Sequence, residues 1–229
     1  MASPGRSPGR ACLLGRWYCL VGSAGTNQKV RVIQERRKGV MVLKEVIQTK
    51  GEIDTSLDSI CQQMLDRHSD LSDTVLVGIR TGGVFLAERL RERILKRKGV
   101  DVPTGTIDIT LYRDDWTQLS QAAEVKKTDI RFPIEGKQVL LVDDVLFTGR
   151  TIRAALDALL DHGRPQRIEL AILVDRGHRE LPICADYVGS YVKTSKEDSI
   201  NVELKELAGT NQVIIEYGKH PSGDSGTRK

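Results

Sequence analysis

No C-x-x-C pair occurs in this chain of 229 residues, and its four cysteines, Cys12, Cys19, Cys61 and Cys184, have no metal-ligand spacing with histidine. The cysteines therefore encode neither a disulfide framework nor a zinc site, and free thiols in a reducing compartment are expected. No apolar run approaches the roughly 20 residues that a membrane-spanning helix needs, so the expectation is a cytoplasmic protein without membrane contact. There is no internal repeat. There is also no G-x-x-x-x-G-K-[ST], which removes the P-loop nucleotidases. What remains is an ordinary globular composition, 39% hydrophobic and 29% charged, in a length that suits one good-sized domain with its own core.

Acids are missing from the first 34 positions. Residues 1–40 hold eight Lys/Arg and the single acid Glu35, whereas residues 41–229 hold 27 basic and 30 acidic side chains. The net charge of +4 thus hides a slightly acidic body, which weakens any whole-body electrostatic case for nucleic acid. For residues 1–40 three readings stand. A secretory signal would have its apolar stretch interrupted by Arg16, and an organelle transit peptide fits the Arg/Ser-rich composition. The preferred reading is a disordered or non-native extension with Met41 as the working start. Arg36-Arg37-Lys38-Gly39 stands just before it, and codons for these residues can be purine-rich, as an untranslated ribosome-binding stretch is.

From Met41 strand-like and helix-like segments alternate, the pattern of an α/β domain over residues 41–217, and residues 218–229 read as a disordered tail. Strands are expected at 42–48, 74–79, 106–111, 139–142, 168–174, 200–204 and 213–217. Asp54 or Thr55 can cap a helix carrying Leu57, Ile60, Cys61, Met64 and Leu65 at helical spacing. A charged amphipathic helix is expected at 84–98. Ile152, Ala155, Leu156, Leu159 and Leu160 form one face of a third helix that stops at His162-Gly163. Residues 116–131 are polar and aperiodic, which suggests a mobile loop. Several strands end in polar clusters, "RTGG", "YRDD", "DDVLFTGRT" and "DRGH", and ligands of open parallel sheets bind beyond the carboxyl ends of the strands.

The run "VLLVDDVLFTGRT" carries the sharpest chemistry. Thr148-Gly149-Arg150-Thr151 stands where a loop becomes a helix, with unpaired N–H groups, two hydroxyls and a glycine that lets backbone approach closely: a phosphate cradle. Asp143 and Asp144 cannot bind phosphate themselves. They suit hydroxyl groups, a cation or a developing positive charge, so a sugar phosphate would use both halves. Arg80-Thr81-Gly82-Gly83 offers successive N–H groups in a glycine-containing turn suited to pyrophosphate. The plain alternatives are a solvated strand end and ordinary turn chemistry. Only the combination argues against them.

"VLLVDDVLFTGRT" resembles the phosphoribosyl pyrophosphate (PRPP) motif of type I phosphoribosyltransferases. With "GEIDTSL", "VGIRTGGVFLAERL", "TIDITLYRDD" and "LAILVDRGHRELPICADYVG", residues 41–217 resemble the PyrR family of pyrimidine operon regulators that are also uracil phosphoribosyltransferases. The resemblance implies a central, mostly parallel sheet flanked by helices with a small hood. It implies the reaction of uracil and PRPP to UMP and pyrophosphate, with Mg²⁺. Asp143 and Asp144 would hold the ribose hydroxyls and the metal, directly or through water, and stabilise an oxocarbenium-like sugar. Val145, Leu146, Phe147, Thr148, Gly149, Arg150 and Thr151 would bind the 5-phosphate, and Arg80, Thr81, Gly82 and Gly83 the pyrophosphate. Tyr112, Arg113, Asp114 and Asp115, with the loop beyond, would close over the reacting centre, Arg113 among the catalytic residues. Val174, Asp175 and Arg176 would face the base, and His178 and Arg179 read equally well as surface loop residues. A homodimer or larger homo-oligomer is implied as well.

The chain departs from the family pattern in places. Thr81-Gly82-Gly83 stands where Thr-Arg-Gly is usual, and Phe147 replaces a common tyrosine. Where attenuating members carry Thr-Arg and His on the first helix and Arg within "LPIRAD", this chain has Asp58, Ser59, Gln62 and Cys184. An acid where phosphates would approach, and an arginine lost to cysteine, leave RNA binding weakly supported. Arg164, Arg167 and Arg179 are the basic positions left for a patch.

Overall fold

The computed structural model describes residues 11–13, 16–20, 31–37, 40–114 and 127–218, with side chains from Leu43 onward. The elements in chain order are β1 (Ala11–Leu13), β2 (Arg16–Leu20), β3 (Arg31–Arg37), β4 (Val40–Thr49), α1 (Lys50–Arg67), β5 (Thr74–Ile79), α2 (Gly82–Lys98) and β6 (Thr104–Ile107). A short 3-10 turn (Thr110–Tyr112) comes next. Then follow β7 (Gln138–Leu146), α3 (Arg150–Leu160), β8 (Arg167–Asp175), β9 (Tyr187–Tyr191), β10 (Ser199–Glu203), α4 (Lys205–Ala208) and β11 (Gln212–Glu216). Two compact units result, the larger made of residues 48–194 and 202–212.

The larger unit is built on a five-stranded, wholly parallel sheet in the order β6-β5-β7-β8-β9. A parallel sheet is covered on both faces, which is why β5 is buried at every position and reads as a continuous apolar run rather than an alternation. α1 lies against β8 and β9, and α2 against β5 and β7. On the other face Val75, Val77, Ile79, Leu141 and Ile172 pack with Ile152, Ala155 and Leu159 of α3 in one apolar cluster. The smaller unit holds the six-stranded sheet β1-β2-β3-β4-β11-β10, in which β1 to β4 form an antiparallel meander. No helix among the described residues is long and apolar enough to cross a membrane.

Several boundaries differ from the sequence expectation, each for a local reason. α1 starts at Lys50 rather than after Asp54 or Thr55. The Glu52 carboxylate accepts the Thr49 N–H at 2.7 Å and the Thr49 hydroxyl at 2.8 Å, so β4 passes into the helix without a loop. β6 ends at Ile107 instead of running to Leu111. Asp108 Oδ1 accepts the N–H and hydroxyl of Thr110 at 3.0 and 2.7 Å, and this side-chain turn replaces the ladder. β7 continues through both aspartates to Leu146, because its pairing with β8 persists to the Leu146–Asp175 register. β9 and α4 went unforeseen: β9 contains Gly189, whose absent side chain leaves room for the Leu173 carbonyl 2.7 Å from where a Cβ would sit. The loop expected at 116–131 falls outside the described residues up to 126. Its far end is anchored, since Thr106 and Asp129 exchange backbone hydrogen bonds at 2.9 and 2.8 Å.

Candidate active site

The carboxyl ends of β5, β6 and β7 converge on one cleft in the larger unit. Asp143, only 5% exposed, and Asp144 lie within the carboxyl-terminal half of β7, and the Asp144 N–H donates to Asp143 Oδ1 at 3.0 Å. Burial pushes both carboxyls up from their usual range, and the charge of Asp144 raises Asp143 further. A pair of buried acids in this condition is a strong acceptor for hydroxyl protons or a cation.

α2 begins against this pair. A Cβ on Gly82 would lie 2.3 Å from Asp144 Oδ2, and one on Gly83 would lie 2.2 Å from the Val142 carbonyl oxygen. The two glycines therefore let the turn after β5 close directly onto β7, where a larger residue would collide with backbone or carboxylate. The peptide between Arg80 and Thr81 is cis. Arg80 is half-buried, and its Nη2 donates to the Lys127 carbonyl at 3.1 Å.

After β7 a short loop, residues 147–149, leads into α3, so Thr148-Gly149-Arg150-Thr151 stands at a loop-to-helix junction. Gly149 adopts a left-handed φ of 92° and, with no side chain, cannot itself cap α3; the Arg150 N–H has only a long contact of 3.4 Å to the Thr148 hydroxyl. A cavity of about 260 Å³ opens there, lined by residues 145–152 with Arg113 and Asp114. A second, of about 500 Å³, is lined by Arg80, Thr81, Gly82, Asp143, Asp144 and Thr151, with Asp108, Thr110, Val202 and Leu207 at its sides. Arg113, Val145 and Thr151 border both. The two cavities are therefore adjacent and share part of their walls.

Other foreseen residues are placed differently. Gly83 lines neither cavity and instead seats α2 on β7. Tyr112 turns outward to hydrogen-bond Asp161, and its carbonyl accepts Arg153 Nη2 at 2.5 Å. Asp114 pairs with Arg150, which also holds Glu180 at 2.9 Å, and the Arg150 contact keeps the Asp114 carboxyl below its usual range. Asp115 lies outside the described residues. Val174, Asp175 and Arg176 line neither cavity. Arg176, 6% exposed, places its guanidinium 4.0 Å from the centre of the Phe147 ring, so the end of β8 reaches the phosphate loop through that ring. Sequence reasoning missed Asp108, Thr110, Val202 and Leu207. Only Asp108, an acid ending a strand, carried a local signal.

Residues 44–207 match the phosphoribosyl transferase domain model. The chain is 50% identical over 171 residues to the bifunctional protein PyrR of Syntrophobacter fumaroxidans, covering 75% of this chain and 92% of that one. It is 52% identical over 163 residues to that of Enterococcus faecalis, covering 71% and 91%. The chain belongs to the PyrR family of phosphoribosyltransferases. A solved hypoxanthine phosphoribosyltransferase of Trypanosoma cruzi superposes with a TM-score of 0.57 at 19% identity, covering 76% of this chain and 97% of that one, and shares the fold. The parallel sheet with flanking helices is the type I phosphoribosyltransferase architecture expected from the motifs.

Proposed function

We propose that this PyrR-family chain catalyses the transfer of the ribose 5-phosphate of PRPP to uracil, releasing pyrophosphate and UMP, in the cleft between Asp143-Asp144 and the 145–151 loop. The observation that carries the reading is the adjacency of two cavities that share Arg113, Val145 and Thr151, one beside the start of α3, the other beside a buried acid pair. The N–H groups of the loop and of α3 hold the 5-phosphate. Asp143 and Asp144 accept the ribose hydroxyls and face the positive charge that grows on the sugar as the bond to pyrophosphate breaks. The turn at 80–83 receives the leaving pyrophosphate, with Arg80 as its charge. Arg113 and Asp114 border the centre and shield it, which matters because water competes with uracil for the sugar.

The donor set suits Mg²⁺. Among the described residues no group of three or more His, Cys, Asp or Glu side chains forms a metal cage. One or two carboxylates beside an open cleft are what a Mg²⁺ bound mainly through substrate oxygens requires. Asp143 and Asp144 would hold it, and it would supply neutralising charge to the pyrophosphate. A steady-state assay with uracil, PRPP and Mg²⁺ is expected to yield UMP; absence of UMP sinks the reading. We take a homodimer or larger homo-oligomer as the working form.

The relatives are named bifunctional, and the second role, regulation through RNA, has less support in this chain. Asp58 of α1 accepts Arg93 Nε at 3.2 Å and Arg97 Nη2 at 2.9 Å, so the arginines nearest to it on α2 are already neutralised. Arg167 pairs with Glu169 at 2.9 Å, and Arg179 is turned inward. A filter-binding titration with pyr leader RNA is expected to show no submicromolar binding with or without UMP. Tight, UMP-strengthened binding would reinstate the regulator as the primary function.

A further inference from the structure

A loop that receives a phosphate through its N–H groups must send its carbonyl oxygens elsewhere, because a carbonyl dipole facing an anion repels it. In this chain the three carbonyls of Leu146, Phe147 and Thr148 are all taken up by one segment, residues 176–181. The Arg176 N–H donates to Leu146 at 3.1 Å, and the N–H groups of Glu180 and Leu181 donate to Thr148 at 3.0 and 3.1 Å. Phe147 is served by a side chain: Arg179 Nη1 donates to its carbonyl at 2.8 Å.

The same nitrogen also reaches the carbonyls of Leu146 at 3.3 Å and Gly177 at 3.0 Å, while Arg179 Nε donates to Ile183 at 3.0 Å. Nη2 pairs with the Asp175 carboxylate, and the side chain is only 22% exposed. Two consecutive left-handed residues, Gly177 at φ 73° and His178 at φ 60°, bend the chain back so that Arg179 points into the loop. His178 lies 2.7 Å from the Thr194 carbonyl through Nε2 and edges the Phe147 ring at 6.0 Å. Arg179 lines neither cavity, so its charge does not meet the ligand directly.

We propose that Arg179 is a positioning residue that turns the phosphate-loop carbonyls away from the ligand and locks that loop to the end of β8. Residues 145–151 and 174–178 then move as one body, holding sugar phosphate and base in a single register. The proposal rests on the assignment of the 145–151 loop to the 5-phosphate. It does not depend on which base is used.

The test measures ribose 5-phosphate binding by calorimetry, which needs no base and no turnover, on wild-type protein and on Arg179→Gln, Arg179→Lys and Arg179→Ala. Arg179→Gln is expected to weaken binding by about tenfold or more, and Arg179→Lys to recover only part of it, since an ammonium cannot span carbonyls on several sides. Millimolar guanidinium is expected to restore binding to Arg179→Ala and not to Arg179→Gln, a response that a general loss of packing does not give. In turnover assays the PRPP KM should rise more than kcat falls. Ribose 5-phosphate affinity within about twofold of wild type in Arg179→Gln, or a lysine variant equal to wild type, overturns the proposal. Wild-type protein that does not bind ribose 5-phosphate overturns the phosphate-loop assignment as well. If Arg179→Gln melts below the assay temperature, Asp175→Asn, which removes the charge paired with Nη2 and leaves an amide oxygen for the Gly177 N–H, is expected to weaken binding by about two- to fivefold; unchanged binding there overturns the proposal.

Discussion

At the scale of single residues the site depends on contacts that admit almost no substitution. Asp144→Asn keeps the volume of the side chain and removes its charge from a buried, like-charged pair, so the fold is expected to survive with a melting temperature no lower than that of wild type. Turnover is expected to fall by about 10²–10³ or more, because the acceptor facing the developing charge is lost. Unchanged turnover in a steady-state assay refutes the role assigned to it. Gly82→Ala brings a methyl to 2.3 Å from Asp144 Oδ2. That carboxylate must shift, and both PRPP affinity and kcat are expected to drop by at least about tenfold while far-UV circular dichroism stays native. The same contact bears on the Thr-Gly-Gly sequence of this turn: in this conformation an arginine at 82 would start its side chain inside the acid pair.

At the scale of elements, the helices are positioned by their first turns. α1 leaves β4 without a loop because Glu52 closes back on Thr49. Removing that carboxylate in Glu52→Ala is expected to cost about 1 kcal/mol in denaturant unfolding, with catalysis untouched since α1 lines neither cavity. A loss well above this value, or altered kinetic constants, would give Glu52 a different role. α2 and α3 start beside the two cavities, α2 at Gly82 and α3 directly after Gly149. Their starts stay open to ligand for different reasons: Gly83 fits against the Val142 carbonyl, and Gly149 supplies a left-handed turn. The apolar periodicity made the bodies of α2 and α3 legible from sequence. It did not show that Asp143 and Asp144 lie inside β7, because strand pairing with β8 decides where a strand ends. Nor did it show β9, whose short, glycine-containing run is a strand only because β8 and α1 are beside it.

At the scale of the whole larger unit, a polar cluster sits toward the amino ends of β8 and β9, the opposite end of those strands from the cleft. Glu169 is 5% exposed, receives the Tyr187 hydroxyl at 2.6 Å and lies 2.7 Å from His68 Nε2. Burial works against its charge, but the hydrogen bonds with Tyr187 and His68 outweigh it and hold the carboxyl below its usual range. A depressed acid contributes stability that is complete above its unfolded pKa of about 4.3 and is lost as pH falls through the folded value. Thermal melts are therefore expected to show a steep acid limb below about pH 4.5 in wild type and a shallower one in Glu169→Gln. Identical acid limbs would show that other carboxylates, such as those paired on α1 and α2, carry the dependence.

The sequence alone determined the chemistry of this protein more than its geometry. "VLLVDDVLFTGRT" reads as a run suited to a phosphate in one half and to hydroxyl groups in the other, because residue types with those properties stand at that spacing whatever surrounds them. Tertiary structure alone decided which residues face the ligand and which act through others. Tyr112 and Asp175 have side chains as polar as those of Asp108 and Thr110, yet the first pair turns to structural partners and the second pair borders the cleft. Arg179 reads as a surface loop residue in sequence and becomes the anchor of the phosphate loop only when two left-handed residues fold it inward. Contacts of that kind join residues more than 30 positions apart in the chain, and no local pattern encodes them.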